Sequence, residues 1–246
     1  MLNTLLKHRS IRKYTDRDIA PELLNDIIEA GTRASNTGNM QLYSVVATRS
    51  AHLKEQLAPA HFNQPMVTNA PVVLTFCADV NRFTKWCNQR NADVGFNNFE
   101  SLLTAIVDTC LFAQNVCLAA EDKGLGICYL GTTTYNADKI SDVLNLPKGV
   151  VPVTTVTLGY PEEEGKLSDR LPVSGVMHNE TYSDYTPEDI DAIYARMEQD
   201  PENAKYVEEN KKENLAQVFA EVRYTKSANE HFSEVMKQYI ARQEML

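Results

Sequence analysis

The residues best suited to chemistry in this chain fall in four polar clusters. The first is His8-Arg9-Ser10-Ile11-Arg12-Lys13-Tyr14, which sets charged and hydroxyl donors almost side by side. A phosphate needs such donors: the planar arginine fork matches its oxygens, and a serine hydroxyl completes the shell at little steric cost. A solvated basic terminus would present the same residues. The second cluster is the run 35–41, in which Asn36 and Gln41 stand among hydroxyl and amide groups. Asn, Thr and Gly are also common in ordinary polar turns. Gln64, within His61-Phe62-Asn63-Gln64-Pro65, is a lone amide with the same two readings.

The third cluster is Gly124-Leu125-Gly126-Ile127-Cys128-Tyr129-Leu130-Gly131-Thr132. It is not a dinucleotide fingerprint. That motif runs from a strand into a helix with glycine at its sixth position, whereas here Tyr129 is sixth and a helix precedes the glycines. A strand ending in Gly131 and Thr132 can instead offer backbone amides to a flat ligand, with glycine permitting close approach. The fourth cluster, Lys166-Leu167-Ser168-Asp169-Arg170-Leu171-Pro172, can return a distant Arg or Lys to an anion. The sequence has no phosphate-binding P-loop, no H-E-x-x-H, no G-x-S-x-G and no zinc-ligand spacing of Cys and His. No metal site and no side-chain catalytic acid, base or nucleophile is expected.

These clusters need elements to hold them. Leu24, Ile27, Ile28 and Gly31 recur at helical spacing and predict a helix over 21–34, with Pro21 suited to its first turn. Short strands are expected over 42–48, 71–78, 127–130 and 151–158; the second is apolar almost throughout, as a strand covered on both faces would be. A long helix over 98–123 carries apolar residues well round its surface and reads as a central scaffold. Shorter helices are expected over 50–57 and 136–144. Beyond residue 185 the composition turns charged, with helices over 187–199, 200–221 and 227–242. Alternating strands and helices favour a sandwich of the α/β or α+β type.

The chain has 246 residues, with 33 acidic against 24 basic side chains and a formal charge of −9. This size fits one domain spanning 1–246, with a core over about 1–183 and a helical extension over about 184–246. The extension holds 14 acidic and 8 basic residues, or −6, leaving 19 and 16, or −3, for the core. Net acidity argues against nucleic acid as a partner. No apolar run approaches bilayer length and no signal-peptide pattern opens the chain, so a cytoplasmic protein with no membrane association is expected. The five cysteines contain no Cys-x-x-Cys pair; Cys77, Cys110, Cys117 and Cys128 lie in apolar surroundings and read as buried thiols.

Taken in order, His8 to Arg12 followed by Thr15-Asp16, the 35–41 run, Gln64 ahead of Asp79 and Asn81-Arg82, Val107-Asp108-Thr109 with Ala113-Gln114-Asn115, the glycines from Gly124 to Gly131, Leu158-Gly159-Tyr160-Pro161 and Arg170-Leu171-Pro172 resemble the FMN-dependent nitroreductase and flavin reductase family. The resemblance is closest to its oxygen-insensitive NADPH nitroreductase branch. It implies an α+β, three-layer sandwich: a central mixed or antiparallel sheet flanked by helices, with a helical C-terminal extension. It also implies a homodimer with FMN at the interface. His8, Arg9 and Ser10 would meet the FMN phosphate and ribityl chain, joined at the phosphate by Arg170. Arg12 would face the pyrimidine end, where a guanidinium stabilises the negative charge that two-electron reduction leaves. Asn36, Gln41 and Gln64 match flavin-contacting positions, and Tyr129, Leu130, Gly131 and Thr132 match the segment reaching the N5 edge.

The implied activity is ping-pong transfer of electrons from NADPH or NADH, through FMN, to nitroaromatics, quinones or free flavin. A non-catalytic flavin- or nucleotide-binding module is the alternative reading. Two departures from the family pattern leave the donor open. Ser168 stands where relatives carry a Lys, and Glu230 accompanies Lys226 where an Arg-rich loop is usual.

Overall fold

The computed structural model describes residues 2–246. In chain order the elements are helices α1 Leu2–Leu6 and α2 Pro21–Gly31, strand β1 Tyr43–Thr48, helices α3 Ala51–Leu57 and α4 Pro65–Asn69, strand β2 Val72–Asp79, helices α5 Asn81–Asn88 and α6 Phe99–Asp122, strand β3 Gly126–Leu130, helix α7 Ala137–Leu144 and strand β4 Val150–Gly159. Helices α8 Pro187–Gln199, α9 Pro201–Glu209, α10 Leu215–Val218 and α11 Lys226–Arg242 follow.

The four strands form one sheet in the order β1-β2-β4-β3, every pair antiparallel. All eight residues of β2 are buried, as its apolar run predicts for an inner strand. Its side chains alternate between faces. Leu74 and Phe76 pack with Ile27, Phe112 and Val116 from α2 and α6. Val73 packs oppositely with Leu57, Met66, Val67 and Ile140 from α3, α4 and α7. The result is the expected α+β sandwich of three layers, and the sheet is wholly antiparallel. Phe112 anchors one layer by stacking on Tyr43 at 4.4 Å and meeting Phe76 edge-on at 5.5 Å. Helix α2 lies close enough to α6 that a Cβ at Gly31 would stand 2.3 Å from Val116 Cγ2.

The chain divides into two compact units. One carries the chain up to Lys166 and again from Phe232 onward; the other is Leu167–His231. In the first, the end of α11 contributes Tyr239 and Ile240 to a third apolar cluster with Leu42, Leu102 and Val151. In the second, α8 opens on a capping box between Thr186 and Asp189.

Three expectations change. The helix expected over 200–221 is broken after α9, where Lys211 takes a left-handed conformation at φ 53°; α10 and a π-helical turn, Phe219–Arg223, follow. Helix α6 is a single element long and apolar enough to match a membrane span by length and composition, but its buried residues pack on the sheet as a core helix. Cys110, expected to be buried, is exposed on α6, whereas Cys77, Cys117 and Cys128 are buried. Burial pushes the Cys77 and Cys117 thiols up to about 12, leaving them protonated and poorly nucleophilic at neutral pH.

Candidate functional site

The N-terminal cluster is fixed to the sheet through its backbone. Ser10 forms a parallel bridge with Ile127, and the Ile11 amide donates to the Ile127 carbonyl at 2.9 Å. Gly126 permits this approach, since a Cβ there would stand 2.7 Å from Ile11. Tyr14 bridges Pro161, and its buried hydroxyl donates to the Ile11 carbonyl at 2.6 Å while lying 2.7 Å from Thr157 Oγ1. Burial pushes the Tyr14 phenol well above its usual range, so it remains a neutral clamp. Glu163 accepts the amides of Arg12 and Lys13 at 2.7 and 3.2 Å.

With the backbone held, the side chains divide. His8 Nδ1 lies 2.7 Å from Glu121 Oε1. Arg9 donates to the carbonyl and carboxylate of Glu164 at 3.3 and 3.0 Å, while its Nε is buried without a partner among the described residues. Arg12 is exposed, and its guanidinium makes no hydrogen bond or ion pair among the described residues.

The parallel register carries Arg12 toward the end of β3. There Tyr129 is partly exposed, with its hydroxyl 3.5 Å from Gln114 Oε1, and Leu130 is buried in the core. Gly131 is exposed, with nothing within 4 Å of where a Cβ would stand. Thr132 Oγ1 lies 2.8 Å from Nδ1 of His61, a fully buried residue whose Nε2 has no partner among the described residues. His61 thereby joins the end of β3 to the turn that carries Gln64. Asn136 braces the same turn by donating to the Ala60 carbonyl at 2.8 Å. Phe62 and Asn63 reverse the chain in left-handed conformations at φ 53° and 54°. Gln64 then begins α4 half-buried, its side chain unbonded among the described residues.

Burial lowers the His61 pKa from 6.5 to about 4. The neutral form is therefore the folded form, and the unfolded chain binds the extra proton between these values. The associated stability is complete above pH 6.5 and is lost as pH falls toward 4, amounting to roughly 3 kcal/mol for a shift of this size. Urea unfolding at pH 7 and pH 4.5 should show this loss, and a His61→Asn variant should show a smaller pH-dependent difference.

The run 35–41 folds onto α6. Its turn is tight, with Gly38, Asn39 and Gln41 all in the left-handed region at φ 57°, 56° and 55°. Asp108, buried in the middle of α6, holds it by accepting the Thr37 amide at 2.9 Å, the Thr37 hydroxyl at 3.2 Å and the Leu42 amide at 3.4 Å. Arg82 donates to the Gln41 carbonyl and to the Tyr43 carbonyl, the latter at 3.1 Å. Asn36 leaves its Oδ1 buried and without a partner among the described residues, and Gln41 Nε2 donates to Asn39 Oδ1 at 3.2 Å. Arg170 belongs to the second unit, where its guanidinium donates to the Ser168 and Asp169 carbonyls, each at 3.1 Å.

The structure therefore joins Ser10 and Ile11 directly to Gly126 and Ile127 of β3, and joins the far end of that strand at Thr132 to the turn carrying Gln64 through His61. Sequence reasoning gave no role to His61, Arg82, Asp108 or Glu163. Asp108 had a visible signal, because a carboxylate inside an apolar helix is rarely buried without partners. The donor set suits FMN: cationic side chains at one end, and unpartnered groups on Arg9, Asn36 and Gln64 with open backbone at Gly131 beyond. Among the described residues no three His, Cys, Asp or Glu side chains are grouped to hold a metal.

A family model described as the nitroreductase family matches residues 5–160. An FMN reductase (NADPH) of Bacillus subtilis is 32% identical over 184 residues, 74% of each chain. An oxygen-insensitive NADPH nitroreductase of Salmonella typhimurium is 34% identical over 181 residues, again 74% of each. A solved structure from Bacteroides fragilis matches with a TM-score of 0.97 and 57% identity, covering 99% of this chain and all of that one. On a model match over more than half its length and relatives above 30% identity, the chain belongs to the nitroreductase family.

Proposed function

We propose that this protein is an FMN-dependent oxidoreductase that draws electrons from NADPH or NADH and delivers them to nitroaromatics, quinones or free flavin. The observation that carries the reading is Arg12: a guanidinium with no hydrogen bond or ion pair among the described residues, on a backbone pinned by Glu163 and tied through Ile11 to β3, the strand that is followed by an open Gly131. Bound FMN would supply the two-electron chemistry between a nicotinamide donor and the acceptor. The chain's own residues bind and orient. His8, Arg9 and Ser10 hold the phosphate and ribityl chain, Arg12 the pyrimidine end, and Asn36, Gln41 and Gln64 the polar edges. The backbone of Tyr129 to Thr132 would face the reactive edge. Such a site needs positioning more than proton transfer, in keeping with the absence of paired carboxylates among these residues. Protein loaded with FMN and then desalted should stay yellow at close to one flavin per chain; a colourless product would refute the reading.

The site is completed, on this reading, by a second copy. Phe99, Leu103, Val107 and Leu111 recur every fourth residue along α6, and each is 44–56% exposed. An exposed apolar stripe of this kind on a core helix supports a subunit interface there. Val107→Glu would place a charge in that stripe and should shift the protein toward monomer in analytical ultracentrifugation, with loss of bound FMN. The five free thiols suit a reducing compartment, and we place the protein in the cytoplasm.

A further inference from the structure

Beside the turn that carries Gln64 stand three aromatic rings that the flavin-binding residues do not use. Tyr135 and Phe232 stack at 4.5 Å with 14° between their planes, and Phe62 leans on both at 6.4 and 6.2 Å. All three lie in the first unit. Two are tied to the site by their backbone: Phe62 follows His61, which holds Thr132, and the Tyr135 amide donates to the Thr132 carbonyl at 3.2 Å.

Phe62 is the informative member. It is 53% exposed, so its ring contributes little to the core. It also sits at φ 53°, a region that a bulky residue rarely occupies. The following residue, Asn63, shares that conformation, so the fold maintains a strained turn while displaying a large ring to solvent. An Asn or Gly at position 62 would relieve the strain. Strain retained for an exposed ring, next to residues of a binding site, points to something the ring contacts.

We propose that Phe62, Tyr135 and Phe232 form an aromatic platform that selects planar aromatic electron acceptors at the flavin site. The inference rests on the oxidoreductase reading above and names the residues that set its acceptor preference. Ring quadrupoles favour offset or edge contact with a flat π-system, and such contacts are worth up to about tenfold in affinity. A compact acceptor without an aromatic face gains none of this.

The test compares menadione with ferricyanide as acceptors, using the FMN-loaded enzyme and the variants Phe62→Asn and Tyr135→Leu. Phe62→Asn removes the ring at a backbone angle that asparagine tolerates, so it should fold at least as well as the parent. The expected result is a rise of about tenfold in the ratio of KM for menadione to KM for ferricyanide, with a smaller change in kcat. An unchanged ratio in both variants overturns the proposal. A fall in dimer content with an unchanged ratio also overturns it and assigns the rings to the subunit contact. The parent enzyme separates the two levels: if NADPH and NADH both fail to reduce its flavin, the oxidoreductase reading fails and the platform falls with it. Reduction of the parent with an unaltered ratio in the variants defeats the platform alone.

Discussion

Replacing Arg12 with alanine should lower FMN retention and slow reduction of the bound flavin by nicotinamide, the latter by about 100-fold, the usual cost of removing one preorganised donor from developing negative charge. The size follows from the residue's state. Among the described residues the Arg12 guanidinium pairs with no carboxylate, so its cation is available to a ligand, whereas the Arg9 guanidinium already reaches Glu164 at 3.0 Å. Its backbone is pinned by Glu163, so little ordering remains to be done when the ligand binds. Because the side chain is exposed, Arg12→Ala should melt within a degree or two of the parent, a change of roughly 0.5 kcal/mol or less. Stopped-flow reduction at the parent rate with full flavin occupancy would remove Arg12 from the account. Arg12→Lys should recover only part of the loss, since a point charge lacks the planar fork.

Asp108→Ala should damage both stability and flavin retention. The buried carboxylate accepts two backbone amides and one hydroxyl from the 35–42 segment, and removing it leaves those amides without their acceptor. An unsatisfied buried donor costs about 1–3 kcal/mol, so a total near 3 kcal/mol is expected. In a chain of this size that corresponds to a melting temperature lower by about 6–12 °C. The turn at Gly38, Asn39 and Gln41 would lose its main clamp, and Asn36 with it. Asp108→Asn retains a carbonyl acceptor and should lose less on both measures. A variant as stable as the parent that binds FMN equally well would show that the loop is held by Arg82 alone.

Much of this was legible in the sequence because it was written in periodicity. The apolar run of β2, the long α6 and the glycines that end it all follow from residue type and spacing, and they place the cluster Gly124–Thr132 at the end of α6. The remainder depended on contacts between distant segments. The pairing of Ser10 with Ile127 joins residues 117 positions apart in the chain, and no local pattern encodes it. The interruption near Lys211 was hidden because charged residues on either side continue a helical pattern across it. Exposure of Cys110 was equally hidden, since an apolar residue reads the same whether it faces the core or the stripe on α6. The strain at Phe62 cannot be read from residue type, because a phenylalanine carries no left-handed turn signal.

The central claim is that the pinned cationic segment and the open end of β3 hold a flavin that nicotinamide can reduce. The most direct measurement is an anaerobic titration of the FMN-loaded protein with NADPH and, separately, NADH, followed by flavin absorbance. The account predicts that at least one of them bleaches the bound flavin fully at about one equivalent per FMN, the stoichiometry of a two-electron transfer. Absorbance that stays unchanged with both nucleotides, on protein shown to carry its flavin, would contradict it.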